Sequence, residues 1–244
     1  MNPETENPTE SSSPQETAPD SAAPNSSDPA LTADLALALI KDRNLSPEAI
    51  EQITRNTAVM KSRKLRVALA GHPRTPRRIA LRLIRELYTF DLMQFGLLPA
   101  VAADLKRVAD ELLVARLASI TLGERISLAR RCSPLVAAAL LLDKEPRVWQ
   151  TALENPRLSE AAVARAVLRP AASPALVNAV CHHAKWSLRP EIRTALLRNE
   201  HTPMARALEF ARRIPPALLR DILHASRLPE KVKNYLRKEL KAKN

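Results

Sequence analysis

Ser-Pro and Thr-Pro pairs punctuate this chain at a nearly constant interval. Serine or threonine at a helix N-cap accepts a hydrogen bond from the free amides of the first turn, and proline suits the first helical position, where its missing N–H leaves no partner unsatisfied. The pair occurs at Ser46-Pro47, Thr75-Pro76, Ser133-Pro134, Ser173-Pro174 and Thr202-Pro203. Ser159-Glu160 places a cap before an acidic first turn, and Thr121-Leu122-Gly123-Glu124 has the spacing of a capping box. Glu145-Pro146, Arg189-Pro190, Pro215-Pro216 and Leu228-Pro229 mark further starts with weaker caps. From Pro146 onward the starts fall near 146, 159, 173, 189, 202, 215 and 229. Thr32, Ser46, Ser62 and Thr75 repeat the same step near the N-terminus.

Each interval holds a helix of about ten residues and a turn. Helices that short are marginal alone and must bury an apolar stripe on their neighbours. Composition agrees. The chain has 39 Ala and 37 Leu among 244 residues, only 3 Gly, and 3% aromatic residues. Ala and Leu are strong helix formers, and strand formers are sparse. The sequence therefore predicts an all-α fold: an α-solenoid of stacked short helices over about residues 31–240, with eleven to thirteen helices.

The middle breaks the period, with irregular longer helices expected at about 76–119. The expectation is a longer helix over Pro76–Tyr88, a turn or short helix over Phe90–Gly96, and a helix of about twenty residues over Pro99–Ser119. Val101, Leu105, Val108, Leu112 and Ala115 give that last helix a narrow apolar seam. Such a seam fits a core helix buttressing the stack, or a surface through which two copies form a homodimer over 99–119.

Three turns resemble one another: residues 67–76 (VALAGHPRTP), 151–160 (TALENPRLSE) and 194–203 (TALLRNEHTP). Each runs from a helix end to His or Asn, then Pro or Glu, two residues, and a new start. Asn tolerates the left-handed conformation that ends a helix, and Pro prevents continuation. This motif resembles that of the leucine-rich repeat variant family and related HEAT-like helical repeats, over 121–240 and more loosely over 32–80. The resemblance implies a right-handed superhelix of short helices with a protein-interaction role. It carries over no catalytic residue, and nothing here matches the cysteine-rich iron–sulfur segment known in that family.

Residues 1–30 form a separate regime, with 6 Pro, 6 acidic residues, no Lys or Arg, and no Leu, Ile, Val or aromatic residue. Such a segment buries too little apolar surface to offset chain entropy, so a disordered acidic tail is expected. It lacks the basic and apolar regions of a signal peptide. The apolar stretch 31–40 is too short to span a bilayer. These features predict a cytoplasmic protein without a membrane partner. The net charge is +12. Because the tail carries −6, the remainder carries +18 (12 + 6), ending in a basic 241–244 segment. An acidic tail on a basic body either solubilises it or screens it from polyanions.

Candidate contact residues lie in a run of nine cations between Lys61 and Arg85 that contains no acid. Arg78, Arg82 and Arg85 fall at i, i+4 and i+7, on one helix face; Arg74 and Arg77 flank them. A rigid row of guanidinium groups can neutralise spaced phosphates, so Arg74, Arg77, Arg78, Arg82 and Arg85 are the candidates for a protein partner or for a nucleic acid or other polyanion. Few aromatic residues are available for base stacking. Trp149 and Trp186 are the only tryptophans, and their setting suits packing better than the aromatic cleft of a helical-repeat DNA glycosylase. Cys181-His182-His183 is the only Cys/His cluster; consecutive helical residues point about 100° apart and do not jointly face one metal. No P-loop, dinucleotide fingerprint or nucleophile elbow occurs. The expectation is a scaffold or adaptor without catalysis, cofactor or metal.

Overall fold

The computed structural model describes residues 31–242. The acidic tail and the last two residues of the basic C-terminal segment lie outside the described residues. Among the described residues there are fifteen α-helices, one 3-10 turn (Val59–Lys61) and no strand. The helices are α1 (Ala33–Leu39), α2 (Pro47–Arg55), α3 (Arg63–Gly71), α4 (Arg77–Glu86), α5 (Thr89–Leu97), α6 (Ala103–Arg116), α7 (Leu122–Arg131), α8 (Pro134–Leu140), α9 (Pro146–Leu153), α10 (Glu160–Leu168), α11 (Pro174–His182), α12 (Pro190–Leu196), α13 (Met204–Arg212), α14 (Pro216–His224) and α15 (Glu230–Ala242). The protein is all-α.

The serine caps act as the sequence predicts. The side chains of Ser46, Ser133, Ser159 and Ser173 each accept the amide three residues on, and Thr121 and Glu124 form a reciprocal capping box. The two Thr-Pro starts differ. Pro76 and Pro203 are themselves the N-caps of α4 and α13, without a side-chain cap. The displaced hydroxyls of Thr75 and Thr202 donate backwards, to the carbonyls of Leu69 and Leu196, each at 2.6 Å. They close the preceding helix instead of opening the next.

The central block is also divided differently from expectation, and fifteen helices occur among the described residues, not eleven to thirteen. α4 ends at Glu86, and Phe90–Gly96 belongs to a full helix, α5. The twenty-residue helix is 14 residues long. Its inward column runs through Ala109 and Leu113, both fully buried, while Leu105, Val108 and Leu112 flank that column half-buried against the core. Ala115 is exposed. α6 packs on α4, α5 and α8 within the same chain, so its seam is covered internally.

Helices pack mainly on the next or next-but-one helix. α1 meets α3, α3 meets α4 and α5, α7 meets α8 and α9, α9 meets α11, and α13 meets α15. In the even row α4 meets α6, α6 meets α8, α8 meets α10 and α10 meets α12. One apolar cluster runs from Leu31 to Leu240 through these contacts.

Polar links tie several helix pairs to an earlier one. Asn155 is buried; its Nδ2 donates to the Ala129 carbonyl at 2.8 Å, and its Oδ1 accepts the Arg157 amide at 2.8 Å. Asn199 repeats this with the Val167 carbonyl at 2.6 Å and the His201 amide at 2.8 Å. His72 occupies the same place, linking the Asp42 carbonyl at 3.0 Å and the Arg74 amide at 3.2 Å. Ser226 does so with the Leu197 carbonyl and the Leu228 amide. His72, Asn155 and Asn199 are the His and Asn positions of the three similar turns; Ser226 lies outside them. A buried side chain satisfied at both ends fixes the register of the stack.

Candidate interaction surface

The predicted arginine row forms on α4. Arg77, Arg78, Arg82 and Arg85 are all exposed. Neighbouring helices neutralise part of it: Arg77 pairs with Asp104 of α6, and Arg78 with Glu51 of α2. Arg63 pairs with Asp91 at 3.0 Å. Arg74 precedes α4 and donates to the Asn44 carbonyl at 3.3 Å. Arg82 and Arg85 have no side-chain partner among the described residues. Arg78 and Arg82 line a surface cleft of about 440 Å³ with Glu51, Thr54, Arg55 and Ile79, between α2 and α4. The five candidates thus share one neighbourhood, but two of them are ion-paired there and a third is tied to a carbonyl.

Other cations serve as helix caps. Arg116 reaches the carbonyls of Arg85 and Leu87, Arg157 that of Arg131, Arg206 that of Cys181, and Arg227 that of Leu168. Positive charge at a helix C-terminus also opposes the negative end of the helix dipole. These four arginines therefore also serve the packing of the helices.

Sequence reasoning did not single out a second surface, between α6, α8 and α10. A groove of about 530 Å³ runs there. Its floor holds Ala138, Ala139, Ala162 and Ala166; Val114, Leu135 and Leu142 form its sides; Arg165 and Arg169 stand at its rim. Leu135 is 41% exposed. Alanine on α8 and α10 leaves a trough because its side chain stops at Cβ. The signal was present in Leu135-Val136-Ala137-Ala138-Ala139, but periodicity alone does not say which alanines face solvent.

The remaining candidates have structural roles. Trp149 is buried in α9; Trp186 is buried and donates its Nε1–H to the Leu153 carbonyl at 2.9 Å. Neither lines either cleft. Cys181 is buried, His182 bonds the Asn178 carbonyl of its own helix, and His183 reaches Glu154 at 3.0 Å, so the three side chains diverge. Among the described residues no group of three or more His, Cys, Asp or Glu is placed to hold a metal. Burial pushes the Cys132 and Cys181 thiols up to about 12, with Asp110 adding to the effect at Cys132. Thiols held that far from ionisation are poor nucleophiles. Asp110 is a buried residue; burial raises its pKa, against a hydrogen bond from Ser133 that lowers it.

Comparison with family models, curated proteins and solved structures returns no match. No described helix is long and apolar enough to cross a membrane.

Proposed function

We propose that this chain is a non-catalytic α-helical repeat protein, a solenoid of helix pairs that works as a cytoplasmic scaffold and receives a protein partner on its even-numbered row. The open apolar groove between α6, α8 and α10 carries this reading. Apolar surface left concave and exposed, with a polar rim, is the usual form of a protein-binding site. Serial contacts between neighbouring helices, and links that reach back 26 to 32 residues at Asn155, Asn199 and His72, support the solenoid. The same links support kinship with the leucine-rich repeat variant and HEAT-like proteins, since they sit at the turn positions that carry the resemblance. Ion pairing at Arg77 and Arg78 weighs against phosphate binding as the main role.

A second reading, binding of nucleic acid or another polyanion through its phosphates, is favoured by Arg82 and Arg85, which have no side-chain partner among the described residues. Salt separates the two. Phosphate binding releases counterions and falls steeply as salt rises, whereas apolar docking changes little. The test runs a gel shift on DNA and RNA beside a pull-down, each at low and high salt, with the full chain and with a chain lacking residues 1–30. The scaffold reading expects a salt-tolerant partner that is lost on Leu135→Glu. A salt-sensitive shift lost on reversing Arg82 and Arg85, with no partner dependent on Leu135, replaces it with the polyanion reading. A shift strengthened by removing the tail assigns the tail a screening role.

A further inference from the structure

We propose that the groove between α6, α8 and α10 takes a short amphipathic helix that carries large apolar side chains on one face and carboxylates beside them. This rests on the protein-docking reading above and names the chemistry of the partner. The trough is apolar where Ala138, Ala139, Ala162 and Ala166 leave it shallow-walled, so it needs bulk from its occupant. The seven residues of α8 span about 10 Å, which matches two turns of a docked helix. The rim is cationic on one side only. Arg165 and Arg169 stand at i and i+4 on the α10 edge, and among the described residues no carboxylate lines the groove. Arg165 uses its Nε to hold the Ala161 carbonyl, which leaves its terminal nitrogens unbonded to any described residue; Arg169 has no side-chain partner among the described residues. Guanidinium groups one turn apart match carboxylates one turn apart on the incoming helix. A net charge of +18 outside the tail steers an acidic segment towards this surface.

The chain's own candidates fit less well. Residues 1–30 supply carboxylates but no Leu, Ile, Val or aromatic side chain, so they match the rim and not the trough. A second copy brings a like-charged surface against a like-charged surface.

The test uses the full chain and fluorescein-labelled peptides of roughly three helical turns. One peptide has a leucine stripe flanked by Glu, a second replaces Glu by Lys, and a third keeps the Glu peptide's composition in scrambled order. Fluorescence anisotropy is read for the natural chain, Leu135→Glu, Leu135→Ala and the double variant Arg165→Glu, Arg169→Glu. Leu135 and both arginines are exposed, and far-ultraviolet circular dichroism checks each fold. The Glu peptide is expected to bind at least about tenfold more tightly than the other two, about 1.4 kcal/mol. Leu135→Glu removes that binding, Leu135→Ala weakens it, and the arginine double variant weakens it about tenfold while favouring the Lys peptide. If Leu135→Glu loses the leucine-stripe peptides but Glu and Lys versions bind alike, the acidic chemistry is wrong and the groove reading stands. Binding indifferent to both Leu135 variants overturns both. Equal binding of the scrambled peptide, or no binding of any peptide, overturns the amphipathic helix. A natural chain that sediments as a dimer and becomes monomeric on Leu135→Glu assigns the groove to a second copy instead.

Discussion

Asn155 shows what one buried side chain does in this architecture. It satisfies a buried carbonyl at the end of α7 and a half-buried amide in its own turn. Asn155→Ala leaves them unpaired and is expected to destabilise the chain by about 1–3 kcal/mol in urea denaturation, whereas Ala118, exposed, tolerates Ser without measurable change. His72→Asn should cost less than His72→Ala, because Asn keeps the acceptor for the Arg74 amide. Asp110 gives the pH-dependent case. Its carboxyl is raised on folding, so the folded state binds that proton more tightly than the unfolded state. Its contribution is therefore most favourable below the ordinary carboxylate pKa of 3.8 and is lost as pH rises through the raised value. Asp110→Asn is expected to melt higher than the natural chain at pH 7, with the gap closing as pH falls towards 3.8. Melting curves across that range check it; a variant that becomes progressively less stable than the natural chain as pH rises overturns it.

At the scale of elements, α6 separates core from surface. Leu113 sits in its fully buried column, while Ala115 is exposed. Leu113→Ala is expected to cost about 2–5 kcal/mol, and Ala115→Glu less than about 0.5 kcal/mol. Chemical denaturation of both variants measures this. Equal losses at the two positions mean that the outer face of α6 is covered. Close approach of elements also limits Gly71 at the end of α3, where an added Cβ would meet Val101 Cγ2 at 3.1 Å. Some of the short helices end on a side chain from outside them: Arg116 closes α4, and Thr75 and Thr202 close α3 and α12.

Across the whole molecule, the proposed solenoid makes stability a sum of interfaces between sequential neighbours, with the ends supported on one side only. Native-state hydrogen exchange should therefore show the slowest amides in α8–α10, where helices pack on both sides, and faster exchange in α1 and α15. Uniform exchange at one global rate would point to a single cooperative core. The charge distribution acts at this scale too. A body of +18 attracts anionic partners over distances set by salt, but guanidinium groups that cap helices or face Asp104 and Glu51 do not offer full charge to a ligand.

Local chemistry decided much of this from sequence alone. Caps at Ser46, Ser133, Ser159, Ser173 and Thr121 fix where helices begin, because a free amide and a serine hydroxyl meet within three residues and need nothing else. The Ala and Leu content fixes the class, and the spacing of Arg78, Arg82 and Arg85 fixes their common face. Tertiary structure decided the rest. Thr75 and Thr202 do not cap because Pro76 and Pro203 take the N-cap position, which leaves their hydroxyls to the carbonyls of Leu69 and Leu196. Asp104 and Glu51, 27 residues from their arginines, closed part of the basic row. The α6 seam moved to Ala109 and Leu113 once α4, α5 and α8 set which side was inside. The groove at Leu135 exists only where three helices lie side by side, since a run of alanines becomes a trough through what flanks it.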